Sequence, residues 1–288
     1  MNRIDLHVHS RESDGSYAPA ELVSYALEKG LTAMALTDHD TVSGVAEAVR
    51  AAEGTELYVI PGVELSAEYQ GRDIHILGLF LDYQSEDFLS CLEGFKEARE
   101  KRNEKMTALL TQHHMPLTME EIREEFTDAV LTRAHFARML VKKGYVQSYQ
   151  EAFERFLDNG KPCYLPKERI LPCDAIQMIH QAKGLAVLAH PLLYKMGIDG
   201  VYTLVEYLKA LGLDGLEAIY SMYSRRNEQQ MRELAGKYKL LITGGSDFHG
   251  VLKPHIGLGT GRGDLCVPEE ILTSLKHAAE KKWLPNKF

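Results

Sequence analysis

The sequence predicts an α/β fold in which seven strands form a closed or nearly closed barrel, with a helical domain inserted between two of the strands. Three observations lead to this prediction. Short apolar runs alternate with helical patterns, which is typical of repeated βα units and a mainly parallel sheet. A long segment rich in Glu, Lys and Arg interrupts the alternation. The length of 288 residues suits one large domain or one domain with an insertion.

The first part of the chain supplies four of the predicted strands. They are "RIDLHV" (3–8), "LTAMALTDHD" (31–40), "LYVIPGVEL" (57–65) and "DIHILGLFL" (73–81). Helical patterns at "PAELVSYALEKG" and "SGVAEAVRAAEG" separate the first three. We therefore assign residues 1–97 to the first part of the barrel.

Residues 98–162 are predicted to form a helical insertion that acts as a cap. Successive helical patterns, of which the first begins upstream at Cys91, run through this region, namely "CLEGFKEAREKRNEKMTALLTQHH", "TMEEIREEF", "TRAHFARMLVKKG" and "SYQEAFERFL". Thr118 and Glu121 fit a capping box at a helix start, and Gly144 and Gly160 suit helix ends.

The rest of the barrel is predicted in residues 163–288. Three further strands are indicated by "GLAVLAH" (184–190), "GLEAIY" (215–220) and "LLITGGSD" (240–247). Together with the four earlier strands they give the expected count of seven.

Composition limits the classes of function. The net charge of −8 and pI near 5.9 argue against non-specific nucleic-acid binding, which relies on many contacts from Lys and Arg to phosphate. The four cysteines are scattered without a paired motif, at Cys91, Cys163, Cys173 and Cys266, so we expect reduced thiols and a cytoplasmic protein. Neither a leader nor a membrane-length apolar run is found, so no membrane association is expected. No stable protein partner is predicted.

The segment "DLHVHS" places His7 and His9 one residue apart in the first predicted strand. Side chains at positions i and i+2 of a strand point to the same face, so the two imidazoles lie side by side. This geometry suits a metal ion. Taken alone, the pair fits two packed core histidines equally well, because histidine is intermediate in its preference for burial.

The same kind of residue recurs at or near the ends of other predicted strands, which favours the metal site. Half of the twelve histidines lie at such places, and strand-end loops of a parallel barrel converge on one rim. Burying all these groups without partners would be costly. Imidazole and carboxylate ligands without thiolate suit Mn²⁺, Fe²⁺ or Zn²⁺, and nine ligands suit two or three ions. The candidate ligands are His7, His9, Asp14, His39, Glu64, His75, His190, Asp247 and His249.

Six motifs in this order resemble the polymerase and histidinol phosphatase (PHP) superfamily of metal-dependent phosphoesterases. They are "DLHVHSRESDGS", "LTDHDT", "IPGVELS", "IHILG", "AVLAHP" and "GSDFHG". The resemblance implies the PHP fold, a distorted (β/α)7 barrel. The helical insertion is similar to that of the subgroup containing the 3′,5′-nucleoside bisphosphate phosphatases and a 5′-to-3′ exoribonuclease.

The resemblance also implies how the nine residues act, which is catalysis through metal-activated hydroxide. It assigns His7, His9, Glu64 and Asp247 to one ion, Asp14, His39 and His249 to a second, and Glu64, His75 and His190 to a third. Other members place a histidine where this chain has Asp14. We therefore expect the second ion to be held more weakly or to be a harder cation.

Substrate specificity is expected to come from cations outside the metal cluster. The resemblance implies that Arg133 in "LTRAHFARML" binds the second phosphate of the substrate, a task that suits a guanidinium fork. Arg225 and Arg226 follow the sixth strand and are further candidates. The alternative for all three is an exposed arginine without a ligand.

Residues beside the motifs are expected to support them. Asp38 and Asp40 flank His39, and we expect them to orient an imidazole or cap a helix rather than bind an ion. Lys253 and His255 follow the last motif and are expected to border the pocket.

The predicted function is hydrolysis of a phosphate monoester on a small nucleotide. The sequence contains neither a P-loop nor a GxSxG motif, so Walker-type nucleotide hydrolysis and serine hydrolysis lack support. The resemblance favours a 3′,5′-nucleoside bisphosphate as substrate and a 5′-to-3′ exonuclease on short RNA or DNA as the alternative. Weaker alternatives are a histidinol-phosphate phosphatase and a PHP module without catalytic activity.

Overall fold

Eight strands form one sheet that curls into a nearly closed barrel. The computed structural model describes residues 3–127, 131–165 and 170–283. Along the sheet the strands follow the order β7-β6-β5-β4-β3-β2-β1-β8. Their bounds are β1 Arg3–Val8, β2 Leu31–Leu36, β3 Tyr58–Tyr69, β4 Arg72–Leu79, β5 Leu185–Leu188, β6 Gly215–Tyr220, β7 Leu241–Gly245 and β8 Val267–Pro268. The α/β barrel and its seven predicted strands are thus confirmed, and β8 is an additional two-residue strand.

The barrel closes where the chain leaving β7 meets the end of β1. Val8 and Phe248 form a parallel bridge. The backbone N–H of His9 donates to the carbonyl of Phe248 at 3.0 Å, and that of Asp247 donates to the carbonyl of His7 at 2.9 Å. Closure therefore brings the last predicted motif beside the first.

Two strands run antiparallel to their neighbours: the short β8, which pairs with β1, and β4, which was expected to be parallel. β4 runs antiparallel to both β3 and β5. The reversal follows from a tight turn at Gln70 and Gly71, whose φ values are 51° and 77°, as in a two-residue hairpin. The beginning of β4, rather than its end, consequently lies at the rim that holds the predicted site.

Ten α-helices occur in the described residues, and most cover the outside of the barrel. They are α1 Pro19–Glu28, α2 Val45–Ala52, α3 Glu86–Gln112, α4 Met119–Glu125, α5 Arg133–Lys142, α6 Tyr149–Ala152, α7 Pro172–Gln181, α8 Gly197–Ala210, α9 Arg225–Tyr238 and α10 Glu269–Trp283. None of the described helices has the length and apolar character needed to cross a membrane.

Side chains of the strands alternate between two apolar clusters, as the pleat requires. In β2, Met34 and Leu36 pack in the cluster shared with the outer helices. Ala33 and Ala35 belong to the other cluster, which α10 enters through Leu272 and Leu275. The barrel is therefore packed on both faces of its strands.

Helices α3 to α6, called the insertion helices below, lie between β4 and β5. Their buried apolar side chains, with Phe136 among the largest, form a third cluster of their own. The predicted capping box is confirmed, since Glu121 N donates to Thr118 Oγ1 at 3.2 Å and Thr118 N donates to the Glu121 carboxylate at 2.9 Å. Residue 98 falls inside α3, and the division at 98 and 162 stays a prediction.

Candidate metal centre and adjoining cavity

All nine predicted ligand side chains meet at one end of the barrel. Glu64 lies on β3 and His75 lies on the neighbouring strand β4, where its register partner is Ser66. The others lie on β1 or in the segments that follow β1, β2, β5 and β7. The strand ends gather these groups because parallel strands present their carboxyl ends to the same rim. The beginning of β4 joins that rim because its direction is reversed.

The Glu64 carboxylate lies at the centre of five imidazoles, although only 1% of the residue is exposed. Each of its oxygens is shared by several rings. Oε1 lies 2.8 Å from His75 Nδ1 and 3.0 Å from His190 Nε2; Oε2 lies 3.1 Å from His39 Nδ1, 3.3 Å from His9 Nε2 and 3.4 Å from His7 Nε2. A carboxylate in this position can bridge two ions.

Two further carboxylates complete the cluster. Asp247 Oδ1 lies 3.3 Å from His9 Nε2 and 3.4 Å from His249 Nδ1. Asp14 Oδ1 lies 3.3 Å from His249 Nε2, and its Oδ2 lies 3.8 Å from His39 Nε2. Asp14, at the position where other family members are expected to have histidine, thus contributes a carboxylate to the cluster.

The donor atoms fit divalent cations. Four groups of side chains each bring their ligand atoms within 4.8 Å of one another: His9, Asp14, His39 and His249; His7, Glu64 and His190; His7, His9 and Asp247; and His39, Glu64 and His75. Several of these atoms are buried without a hydrogen-bond partner in the described structure, including both ring nitrogens of His9 and Glu64 Oε2. Buried polar atoms rarely stay unpaired, and bound cations would satisfy them.

The carboxylates and imidazoles of the cluster shift each other's pKa values. Burial alone would raise the pKa of Glu64, but the surrounding imidazoles, that of His75 most strongly, hold it well below its usual range. For Asp247, burial is likewise outweighed by neighbouring cations, Lys253 first, so its pKa is also low. Burial would lower the pKa of His7, yet the carboxylates around it raise that pKa. The carboxylates are therefore ionised at neutral pH, as metal ligands must be.

Strained backbone holds two of the nine residues. His190 has φ of 27° and Asp247 has φ of 56°, a region that side chains other than glycine adopt at a cost. Each residue lies two positions after the last residue of its strand, β5 or β7, at the rim. Such strain persists where the surrounding structure fixes the position, which is common at functional sites.

Sequence reasoning missed Glu217, a fully buried residue of β6. Its carboxylate accepts a hydrogen bond from His7 Nδ1 at 3.0 Å and another from the backbone N–H of His190 at 2.7 Å. Since a carboxylate can only accept, His7 carries its proton on Nδ1 and directs Nε2 toward Glu64 and Asp247. Glu217 is therefore the residue that orients an imidazole.

The flanking aspartates hold loops. Asp38 accepts hydrogen bonds from Ser10 N at 2.8 Å, Ser10 Oγ at 2.6 Å and Ser13 Oγ at 2.5 Å, which fixes the loop carrying Asp14. Asp40 accepts from Ser66 N at 2.8 Å and from Ser66 Oγ at 3.1 Å. These contacts fix loop backbone and serine side chains, and the orientation of an imidazole by either aspartate stays a prediction.

A cavity of about 160 Å³, called the catalytic cavity below, opens between the metal centre and the insertion helices. Asp14, His39 and His75 line it from the barrel, and Arg102, Arg133 and Tyr149 line it from the insertion. It therefore has predicted metal ligands on one side and two guanidinium groups on the other.

The two arginines differ in their surroundings. Arg133 donates to Asp73 Oδ2 at 3.1 Å. Arg102 is only 7% exposed, and its Nε has no hydrogen-bond partner in the described structure. Burial, together with the neighbouring Arg133, lowers the pKa of Arg102 to about 10, so Arg102 remains charged at neutral pH. The sequence did not single out Arg102, because α3 contains many other charged residues.

The remaining candidates lie around this site. Arg225 and Arg226 are exposed at the start of α9 and do not line the catalytic cavity. Lys253 Nζ donates to Asp247 Oδ2 at 2.7 Å, so it contacts the metal centre directly. Tyr220 OH donates to the same oxygen at 2.7 Å. His255 is exposed.

Comparisons with known proteins agree with this geometry. The PHP domain family matches residues 5–163. A 5′-3′ exoribonuclease of Haemophilus influenzae is 38% identical over 247 residues, covering 86% of this chain and 90% of that protein. A 3′,5′-nucleoside bisphosphate phosphatase of Chromobacterium violaceum is 34% identical over 250 residues, covering 86% and 88%.

Solved structures show the same architecture over nearly the whole chain. An amidohydrolase from Chromobacterium violaceum, solved with bound sulfate and no metal, has a TM-score of 0.84 and 32% identity, covering 97% of this chain and 96% of that one. A structure described as a "metal-dependent phosphoesterase" from Bifidobacterium adolescentis has a TM-score of 0.85 and 27% identity, covering 99% and 98%.

Proposed function

The chain belongs to the PHP domain family and is a metal-dependent phosphoesterase, and from that premise we propose that it hydrolyses a 3′,5′-nucleoside bisphosphate to a nucleoside 5′-monophosphate and phosphate. Family membership confirms the resemblance drawn from the six motifs. The main support for the proposed substrate is the catalytic cavity, which has predicted metal ligands on one side and two guanidinium groups on the other. A substrate with two phosphates can occupy both sides.

The nine clustered side chains are proposed to hold two or three divalent ions, with Mn²⁺, Fe²⁺ and Zn²⁺ as the candidates. Bound ions of this kind supply an activated water and neutralise phosphate oxygens during hydrolysis. The chain itself keeps the ligands in place: Glu217 orients His7, and Asp38 fixes the loop of Asp14. The assignment of individual residues to individual ions stays a prediction.

The guanidinium side of the cavity supports recognition of the phosphate that is not cleaved. Arg133 presents a planar fork that suits two phosphate oxygens. Arg102 is buried beside it with an unpaired Nε, and an anion would satisfy this donor and reduce the repulsion between the two cations. Asp73 pairs with Arg133 and keeps its guanidinium in place before substrate binds. Contacts from Arg225 and Arg226 to substrate stay a prediction.

A 5′-to-3′ exonuclease on short RNA or DNA is the second candidate function. It is favoured by the likeness to the Haemophilus influenzae exoribonuclease at 38% identity. In that case the guanidinium side would receive a terminal 5′-phosphate and the metal side the first diester. A histidinol-phosphate phosphatase has less support, because that substrate carries no second phosphate for the two arginines. All nine ligand positions are filled in this chain, which speaks against a PHP module without activity.

Release of phosphate and nucleoside products by the Mn²⁺-loaded protein would test the proposal. The substrates are 3′,5′-adenosine bisphosphate, AMP, a short 5′-phosphorylated RNA and histidinol phosphate, offered side by side. We expect the bisphosphate to be preferred and to yield AMP and phosphate. Stepwise release of mononucleotides from RNA, with little turnover of the bisphosphate, would replace the proposal with the exonuclease.

A further inference from the structure

A second cavity adjoins the catalytic cavity and shares a wall with it. It lies between α4, α5 and α6 of the insertion on one side and the turn Gly250–Leu252 after β7 on the other, with a volume of about 380 Å³. Tyr149 lines both cavities. We call this space the side cleft; its other principal lining residues are Phe126, Arg138, Val141, Lys142 and Val251.

The catalytic cavity is too small to hold a complete nucleotide. Its volume of about 160 Å³ falls below the roughly 300–1,000 Å³ usual for small-molecule sites, and its charged lining suits phosphate groups. The side cleft, at about 380 Å³, falls within that range. A nucleotide whose phosphates lie in the catalytic cavity therefore needs adjoining space for its base.

The lining of the side cleft suits an aromatic ring attached to a phosphate. Three apolar or aromatic side chains remain open to solvent: Tyr149 is 38% exposed, Val141 36% and Val251 67%. The guanidinium of Arg138 lies over the ring of Phe126 at 4.8 Å. Nucleobases stack on aromatic rings and on guanidinium planes, and the lining of the cleft contains an exposed tyrosine ring and a guanidinium group.

We propose that the side cleft binds the nucleobase of the substrate, with Tyr149 as the wall between base and phosphate. This inference rests on the proposed function, because it takes a nucleotide as the substrate. The cations Arg138 and Lys142 border the cleft, and Lys142 is partly neutralised by its ion pair with Glu125. The lining thus carries two cations and one carboxylate, a weak positive charge that suits a base attached to an anionic sugar phosphate.

A pair of substrates isolates the contribution of the base. Phosphate release is measured with 3′,5′-adenosine bisphosphate and with 1-O-methylribose 3,5-bisphosphate, which lacks the base. In parallel, calorimetry compares the binding of AMP with that of ribose 5-phosphate. Stacking and apolar contact predict a KM and a Kd about tenfold lower for the compound that carries the base.

Val141→Glu places a carboxylate on the wall of the side cleft at a helical position that tolerates glutamate. We expect it to abolish most of the advantage of the base in both KM and Kd. Ile198→Glu is the matched control, because Ile198 is 37% exposed on α8 and does not line the side cleft. Should thermal unfolding show that Val141→Glu is not folded, Arg138→Gln serves in its place, with the same direction expected.

The KM, Kd and turnover measurements distinguish the side-cleft proposal from the phosphatase proposal. Equal KM and Kd for compounds with and without the base overturn the side-cleft proposal while turnover of either bisphosphate leaves the phosphatase in place. Absence of turnover rejects the phosphatase, and the Kd ratio of AMP to ribose 5-phosphate still decides whether the cleft recognises a base. A base advantage that Val141→Glu leaves intact also overturns the proposal, since the base would then bind elsewhere.

Discussion

Replacing Glu217 by glutamine should impair the metal centre although position 217 is predicted to touch no ion. The carboxylate accepts two hydrogen bonds, from His7 Nδ1 at 3.0 Å and from the backbone N–H of His190 at 2.7 Å. Both partners are N–H donors, so the site requires two acceptor oxygens. Glutamine has the same shape but only one acceptor oxygen and an NH₂ group.

The magnitude follows from this mismatch. In the Glu217→Gln variant one N–H must face the NH₂ group, which leaves a buried donor unpaired at a cost of about 1–3 kcal/mol in the free energy of unfolding. If the unpaired donor is His7 Nδ1–H, the ring is free to change its tautomer or its orientation. Loss of such a carboxylate partner typically lowers metal affinity or activity by about 10–100-fold. We expect losses of this order in both quantities.

The assay compares kcat, Mn²⁺ affinity by calorimetry and the free energy of unfolding for the wild type and the variant. Glu56→Gln, which makes the same chemical change at an exposed position, is the control and should match the wild type. Wild-type kcat and Mn²⁺ affinity in a folded Glu217→Gln protein would refute the reasoning, because His7 would then not need its carboxylate partner.

Further predictions concern the other parts of the molecule. Removal of one central ligand, by His9→Ala or Asp247→Ala, should abolish turnover while circular dichroism shows an intact fold; normal phosphate release by either variant would contradict the metal-site assignment. Arg133→Ala should weaken chiefly the binding of substrates with a second phosphate, seen as a KM increase of about tenfold or more. The control Arg123→Ala, on α4 and with its own carboxylate partner, should leave KM unchanged. An equal KM increase for monophosphates would refute this role of Arg133. Burial alone would raise the pKa of Asp214, but hydrogen bonds from a histidine and a lysine lower it below 3.8. Asp214→Asn should therefore lower the free energy of unfolding at neutral pH, and its difference from the wild type should shrink as the pH falls below 3.8. A difference that stays constant in urea titrations across pH would contradict this. Chelation should stop turnover and lower the melting temperature, because ions that bind only the folded chain stabilise it by about 2.7 kcal/mol at a hundred times their Kd; an unchanged melting temperature would contradict this.

The candidate metal centre could be predicted from sequence because histidines and carboxylates recur at the ends of several predicted strands. His7 with His9 permits two interpretations, but the recurrence at His190 and Asp247 requires either a common site or several unpaired buried charges. The barrel itself follows from the alternation of apolar runs and helical patterns. The features that could be predicted are therefore those that recur along the chain: the alternation of strands and helices, and the histidines and carboxylates at strand ends.

The direction of β4 was not predicted, although a signal for it exists. The predicted strand patterns at 57–65 and 73–81 are separated by only seven residues, 66–72, and in the structure the strands extend until Gln70 and Gly71 alone lie between them. A parallel connection would need a dozen or more residues. The alternation elsewhere favoured a parallel sheet, and the short connection should have outweighed it.

Glu217 and Arg102 could not be found by the same means, because each is a single charged residue whose role depends on its partners. Glu217 lies in an otherwise apolar strand, and a buried carboxylate there must be paired; this was the one available sign. Arg102 lies in a helix that contains many exposed charges, where the sequence does not distinguish a buried guanidinium from its neighbours. Three-dimensional packing alone selects it.

Asp5 shows why closure of the barrel and assembly of the site depend on each other. This fully buried carboxylate of β1 accepts hydrogen bonds from Ser246 N at 2.8 Å, Ser246 Oγ at 2.5 Å and Gly259 N at 2.8 Å. Ser246 directly precedes Asp247, so the same contacts that join the end of β7 to β1 place Asp247 next to His7 and His9. Burial raises the pKa of Asp5, and the hydrogen bonds to its carboxylate oppose that rise. A change such as Asp5→Asn would therefore loosen barrel closure and the metal centre together, since one residue fixes the chain at both.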